Sequence, residues 1–279
     1  MTKAPGEDTA LLDLEIRLLL DGVYQRYQHD FREYAVTSLR RRVRHAMAHF
    51  NCASVGELQH RLLADATLFR QALQFFTVQV SEMFRDPGYF LALRQQVVPV
   101  LQTYPSLKIW VAGCSSGEEV WSLAILLAEE QLLDRAIIYA TDINPEALRL
   151  AEAGVYPLKR MPLFSRNYQA AGGRASLADH CATGYDGAVF NRQLKRQIVF
   201  ADHSLATDSV FSEVHFVSCR NVLIYFNRQL QDRAVGLFRD ALVHRGVLGL
   251  GSRESLMFGA HAQAFEPWVA QQAIYRKRA

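Results

Sequence analysis

Two glycines, two glutamates and one aspartate carry the strongest chemical signal in this chain: Gly113, Gly117, Glu118, Glu119 and Asp142. Lys108–Glu119 reads KIWVAGCSSGEE, and a second short apolar run, IIYATD, ends at Asp142. Lys108–Ala112 has the length and composition of a buried strand. Gly113 and Gly117 then predict a tight turn in which backbone can approach a ligand, because no Cβ intervenes. Glu118 opens an amphipathic helical pattern, VWSLAILLAEE. Strand, glycine turn, helix, strand and terminal acid is the wiring of a nucleotide-cofactor site. A carboxylate at the end of the second strand can accept both hydroxyls of a ribose.

The spacing of the turn is G-x-x-x-G rather than the G-x-G-x-x-G of a pyrophosphate site. Glu118 and Glu119 at the helix start would repel a pyrophosphate and suit a cationic or zwitterionic ligand. S-adenosylmethionine, with its sulfonium and amino group, fits this description better than a dinucleotide does. Ser116 and Glu119 also match the S-x-x-E capping box, which needs no ligand.

Three further groups of residues could do chemistry. Ser81-Glu82-Met83-Phe84-Arg85-Asp86-Pro87 stands at an expected domain junction, where ligands tend to bind. Arg85 there can pair bidentately with a carboxylate or form a structural salt bridge. Ser218–Asn227, SCRNVLIYFN, follows a predicted core strand. Asn221 can donate and accept, and Tyr225 offers a ring and a hydroxyl; a strand exit with Tyr225 in the core is the alternative. Arg40, Arg41, Arg42 and Arg44 form either a solvated helix face or a docking surface for an acidic partner. No stacking aromatics interleave with them, which speaks against nucleic acid. His45 and His49 lack a carboxylate third ligand, so no metal site is expected. No Walker A sequence is present.

The elements that must position these groups follow from patterning. The chain has 279 residues, half of them hydrophobic, and a formal net charge of +3, so it is globular and only locally basic. No run approaches the roughly 20 apolar residues of a membrane span, and MTKAPGEDTA lacks a signal-peptide core. Cys52, Cys114, Cys181 and Cys219 are scattered, which favours reduced thiols in a cytoplasm.

Helical patterns fill residues 10–80: Leu11–Tyr27, Phe31–Phe50, Val55–Asp65 and Ala66–Phe76. Asp86-Pro87 predicts a capped helix start with Pro99 as a kink or an end. From Lys108 strands and helices alternate, predicting a parallel sheet covered by helices. Asn144-Pro145-Glu146 starts a helix that Gly154 ends, Asn227 caps a long one that Gly246 ends, and Val214–Ser218 and Gly246–Gly251 read as core strands. Residues 155–200 break the alternation with prolines, glycines and the tract Gly-Tyr-Asp-Gly. A small antiparallel insertion at about 172–200 is expected there. The expected division is an all-α domain at 1–85 and an α/β domain at 86–279.

SEMFRDP, WVAGCSSGEE, ATD, AEAGVY, VFADHSL and SCRNVLIYF, in this order behind a helical N-terminal region, resemble the chemotaxis receptor methyltransferases, the CheR family. The resemblance covers nearly the whole chain. It implies an α/β fold: an all-α N-terminal domain, then a Rossmann-like methyltransferase domain with a small antiparallel β insertion. It implies an enzyme that moves a methyl from S-adenosylmethionine to glutamate side chains of chemoreceptor cytoplasmic helices, leaving S-adenosylhomocysteine. A glutamate is already ionised at neutral pH, so no general base is needed. Carried over by motif, Gln79, Ser81 and Arg85 line the methionine end of the cofactor. Gly113, Glu119 and Asp142 hold its polar groups, with Asp142 on the ribose; Ser204-Leu205, Asn221 and Tyr225 complete the pocket. Arg85 and Tyr225 are expected nearest the transferring methyl, and Arg40–Arg44 on the receptor side. The β insertion resembles a subdomain that in some members binds a receptor peptide by strand addition.

Three positions depart from the family pattern. Gln79 stands for a common Asn, Val120 for a common Pro, and Ser204 for an Asn that contacts the cofactor. A cytoplasmic monomer without bound metal, nucleic acid or membrane insertion is the expectation. The alternatives are a non-catalytic cofactor-sensing or docking homologue, motivated by Ser204, and an RNA methyltransferase, which the missing N/D-P-P-Y tract and Cys pair disfavour.

Overall fold

The computed structural model describes residues 5–184, 187–257 and 259–278. Tyr185 and Asp186, the middle of the Gly-Tyr-Asp-Gly tract, lie outside the described residues. The chain forms two compact units. One comprises residues 1–78 with 225–233, the other 79–224 with 234–279. The division therefore falls after Val78 rather than after Arg85, and Tyr225–Arg233 joins the N-terminal unit.

The first unit is built from α1 (Pro5–Tyr27), α2 (Val36–His49), α3 (Val55–Ala64) and α4 (Ala66–Phe76). Ile16, Leu19, Leu20 and Val23 form the buried stripe of α1, at the i, i+3, i+4, i+7 spacing of a helix face. Ser54 and Asp65 cap α3 and α4 through side-chain bonds to the first-turn amides. Helix α2 starts later than the sequence pattern suggested, because residues 31–35 carry other pairings: Ala35 N–H donates to the Tyr225 carbonyl, and Tyr34 bridges Phe226.

In the second unit, α5 (Pro87–Ala92) leads through a single π turn, Leu93–Val97, into α6 (Val98–Leu101). Pro99 explains the π turn. It has no N–H and crowds the carbonyl four residues back, and a widened turn relieves both. Asp86 does not cap α5; it adopts a left-handed conformation without a capping bond. Its carboxylate instead accepts from Arg220 at 2.8 Å.

The remaining elements are β1 (Leu107–Ala112), α7 (Glu118–Glu129), β2 (Ala136–Asp142), α8 (Pro145–Ala153), β3 (Val155–Tyr156), α9 (Met161–Ala170), β4 (Cys181–Gly184), β5 (Gly187–Phe190), α10 (Arg192–Lys195), β6 (Ile198–Asp202), β7 (Val214–Cys219), α11 (Arg228–Ala241), β8 (Leu242–Leu250), β9 (Phe265–Val269) and β10 (Ile274–Lys277). Asn144 caps α8 as the sequence predicts, with its Oδ1 accepting from Glu146 and Ala147, and the helix stops at Gly154.

The main sheet has the order β6-β2-β1-β7-β8-β10-β9. Its first five strands are parallel and β10 and β9 are antiparallel. β1 and β7 run as buried strands through its centre. The sequence pattern for α11 runs too far: the helix ends at Ala241, and Gly246 lies inside β8.

The small sheet, β3-β5-β4, begins at Val155 rather than near 172. Residues 198–200, assigned by pattern to the insertion, belong to β6 in the main sheet. Alternation alone does not say which sheet a strand joins.

Candidate cofactor site

The chain leaves β1 and turns towards β2 on one side, while β7 flanks β1 on the other. That reversal of strand order makes the carboxyl ends of β1 and β7 the crevice where α/β sheets bind ligands. Cys114–Glu119 leaves one of these ends and Cys219–Asn221 the other.

The turn after β1 is fixed by backbone. Gly113 and Cys114 N–H both donate to the Thr141 carbonyl at 2.8 Å, which sets Asp142 beside Ser115. Gly113 has φ +72, and a Cβ there would stand 2.6 Å from Val222 Cγ2. Gly117, at φ +88, caps α7. The S-x-x-E box does not form: Ser116 Oγ donates to Glu118 Oε2 at 2.7 Å, and Tyr156 OH holds the Ser116 carbonyl at 2.7 Å.

Asp142 is buried. Its Oδ2 accepts from Ser115 N–H at 2.8 Å and its Oδ1 from Asn144 N–H at 3.0 Å. Burial pushes its carboxyl above the ordinary range, and these amide bonds act in the other direction. The Ile143 amide also bonds to it, and a carboxylate held this way at the end of β2 keeps acceptor capacity that a ribose hydroxyl would use. The residues present therefore fit the ribose of S-adenosylmethionine.

The two glutamates divide. Glu118 is fully buried, and Arg160 Nη1 donates to its Oε1 at 2.6 Å. It is neutralised inside the protein and does not face a ligand, contrary to the reading of a paired acidic patch. Glu119 accepts from Ser218 Oγ at 2.7 Å and from Arg220 Nη1 at 3.1 Å.

Gln79 and Ser81 come to the same turn. Ser115 Oγ donates to Gln79 Oε1 at 2.6 Å, and the Ser81 carbonyl accepts from Arg160 Nη2. Arg85, half-buried, donates from Nη1 to the Val80 carbonyl at 3.3 Å. Phe84, Asp86, Ser115 and Asn221 all hold positive φ without being glycine. Backbone of this kind persists where surrounding contacts over-determine it, and it gathers at ligand clamps. For Asn221 those contacts come from Glu254, whose Oε2 accepts from Asn221 N–H at 2.9 Å and Gly251 N–H at 2.6 Å and whose Oε1 accepts from Ile224 N–H at 3.2 Å. Leu205 is buried just after β6. Ser204 caps its own loop, its Oγ accepting from Ala206 and Thr207 N–H at 3.3 Å.

In the first unit, Tyr225 lies under the Arg42 guanidinium, 4.6 Å from the ring centre. The four arginines separate there. Arg42 is buried with Leu39, Val43 and Ala46 on the inner face of α2 and donates to the Phe76 carbonyl at 2.6 Å. Arg40 pairs with Asp13 at 2.6 Å. Arg41 and Arg44 are exposed. Arg42 thus leaves the expected docking set, since a run of four cannot all lie on one face of a 3.6-residue helix.

Sequence reasoning missed Arg160, Glu254 and Tyr89, and it gave Arg220 no role of its own. Their signals are weak: one arginine in an irregular segment, one glutamate in GSRESL after a core strand, and an aromatic in an apolar helix.

Among the described residues, no helix is long and apolar enough to cross a membrane, and no group of three or more His, Cys, Asp or Glu could hold a metal ion. Residues 79–274 match the family described as CheR methyltransferase, SAM binding domain, and residues 14–77 match CheR methyltransferase, all-alpha domain. The chain is 55% identical to Cher3 of Pseudomonas putida over 265 residues, 95% of this chain and 97% of that protein. It is 30% identical to the chemotaxis protein methyltransferase of Listeria monocytogenes over 232 residues, 82% of this chain and 85% of that one. A solved structure of magnesium protoporphyrin IX methyltransferase from Synechocystis with bound S-adenosylmethionine overlaps 69% of this chain and 81% of that one at 16% identity and a TM-score of 0.37, too distant to bear on the site. With the helical unit, the cofactor turn and both family matches in place, the chain belongs to the CheR methyltransferase family and uses S-adenosylmethionine as its cofactor.

Proposed function

We propose that this methyltransferase esterifies glutamate side chains on the cytoplasmic helices of chemoreceptors. The single observation that carries the reading is the buried Asp142 carboxylate in the Gly113–Gly117 turn, within a chain matching the CheR family from residue 14 to residue 274. The Listeria relative's name supplies the chemotaxis context.

When bound, S-adenosylmethionine supplies a methyl group made electrophilic by its sulfonium. The chain's own residues bind and orient. Asp142 takes the ribose hydroxyls and fixes the nucleoside end. Glu119, held by Ser218 and Arg220, presents a carboxylate for the amino group. Gln79, Ser81 and Arg85 define the methionine end, and Asn221, set in its left-handed conformation by Glu254, closes the pocket with Ser204 and Leu205. Arg85 and Tyr225 are assigned to the transfer step on the resemblance alone. The pocket would hold that methyl in line with an acceptor glutamate oxygen, so that the ester carbon–oxygen bond would form as the methyl leaves sulfur, with the neutral thioether S-adenosylhomocysteine left behind. The attacking oxygen is already anionic, so no proton is moved and the barrier lies in alignment and desolvation.

The test uses methyl-labelled S-adenosylmethionine, the full chain and membranes containing chemoreceptors. Alkali releases volatile labelled methanol if carboxyl groups are methylated. Base-stable label would refute the ester assignment and direct the search to RNA. No label, where an active family member labels the same membranes, would favour a docking or sensing homologue.

A further inference from the structure

Arg160 belongs to the root of the β insertion, between β3 and α9, and sequence patterning gives it no role. Its guanidinium nevertheless joins the two stretches that form one end of the cofactor site. Nη1 donates to Glu118 at the start of α7, at 2.6 Å, and Nη2 donates to the Ser81 carbonyl in the 79–85 segment. The guanidinium lies over the Phe164 ring, 4.6 Å from its centre. Glu118 has no exposed surface, so Arg160 supplies the positive charge its burial requires. Tyr156, from the same root, holds the Ser116 carbonyl.

We propose that Arg160 is a positioning residue that clamps the 79–85 segment to the glycine turn, so that cofactor binding and the seating of the insertion root form one linked equilibrium. The geometry supplies the linkage. The same guanidinium is anchored on the insertion side by Phe164 and reaches both cofactor-lining stretches. A shift of residues 155–164 would disturb the bonds that tie the 79–85 segment to the start of α7, and a ligand that needs those two stretches in register favours the seated root. The inference rests on the cofactor site of the proposed function and not on the acceptor.

The experiment titrates the full chain with S-adenosylhomocysteine by calorimetry and follows amide exchange of residues 155–164 with and without that ligand. In the native chain, saturating ligand slows exchange in this stretch. Arg160→Gln weakens binding by at least about 10-fold, and at saturating ligand its 155–164 exchange no longer responds. Arg160→Lys, which keeps the charge but not the fork, falls between. If Arg160→Gln does not fold, the pair Glu118→Gln with Arg160→Gln, which leaves no buried unpaired charge, carries the same test. Affinity within about twofold of native, or retained ligand-dependent protection in the folded variant, overturns the clamp. A purely structural arginine would lower the melting temperature and leave both readouts in place. Absent methanol release with normal ligand binding by the native chain refutes the acceptor assignment and leaves the clamp intact.

Discussion

Arg220 and Glu119 are joined across the sheet crevice: the guanidinium reaches the carboxylate at 3.1 Å, lies over the Tyr89 ring at 4.1 Å, and donates to the Arg85 carbonyl at 2.9 Å and the Asp86 carboxylate at 2.8 Å. One buried side chain therefore sets the carboxylate proposed for the cofactor's amino group and the backbone of Arg85. Lysine keeps the charge but loses the fork and the stacked plane. Arg220→Lys is expected to lower S-adenosylhomocysteine affinity about 10-fold, near 1.4 kcal/mol. Arg220→Ala, which strips a buried charge network of its cation, should cost about 3–5 kcal/mol of stability. Calorimetry and urea titration read the two effects, and unchanged affinity in the lysine variant would remove Arg220 from the site.

Asp142→Asn tests the ribose contact. The carboxylate accepts an amide N–H on each oxygen, whereas an Asn side chain must turn its own NH2 towards one of them. Affinity for S-adenosylhomocysteine should drop about 10-fold or more, at least 1.4 kcal/mol. In the native chain the affinity should also decline as pH is lowered and Asp142 protonates, beginning at a higher pH than an exposed aspartate would give, because burial raises its pKa. A pH-independent affinity through the acid range would contradict this role.

Glu129 sets an acid limit on stability. Burial pushes its carboxyl up, but bonds from Tyr168 and Arg94, with His180 Nε2 at 3.5 Å, outweigh burial and hold it at about 2 rather than 4.5. A depressed carboxyl pKa stabilises the fold above the unfolded value and loses that contribution as pH falls from about 4.5 to about 2. The contribution is up to about 3 kcal/mol. Glu129→Gln should lower stability at neutral pH and flatten the stability curve across that window, as measured by denaturant titration at several pH values.

Gly113→Ala forces a side chain into left-handed backbone and against Val222. The left-handed conformation alone costs about 1–2 kcal/mol, and the overlap adds to it. Adding Val222→Ala should recover the steric part and leave the conformational part. Equal melting temperatures for the single and double variants would show that Val222 is not the obstacle.

The arginines of α2 should behave differently from one another. Arg41→Glu with Arg44→Glu changes exposed charges, so stability should move by less than about 0.5 kcal/mol, while methyl transfer to receptor membranes falls and its salt dependence weakens. Arg42→Met removes a buried guanidinium whose Nε and Nη2 have no hydrogen-bond partner among the described residues but also frees the Phe76 carbonyl that Nη1 holds, so stability should stay within about 1 kcal/mol of native. Transfer unaffected by the Arg41/Arg44 change would remove this face from receptor docking.

Local elements and the residue types of the cofactor turn are written in short stretches of the chain. Helical stripes such as Ile16-Leu19-Leu20-Val23, the Asn144 cap, the run before Gly113 and the acid at Asp142 are encoded within a few residues of each other, where periodicity and capping operate. Tertiary structure decided what depends on partners distant in the chain. Only there do Arg160 and Glu118 meet across 42 positions and Arg220 and Asp86 across 134. The same holds for Asp86, whose carboxylate goes to Arg220 instead of capping α5, and for Arg42, which turns inward while Arg41 points out. It also holds for residues 198–200, which join the main sheet rather than the insertion. Burial of a charge is set by what packs over it, and which strand pairs with which is set by the whole sheet; neither quantity is local, so neither can be read from spacing.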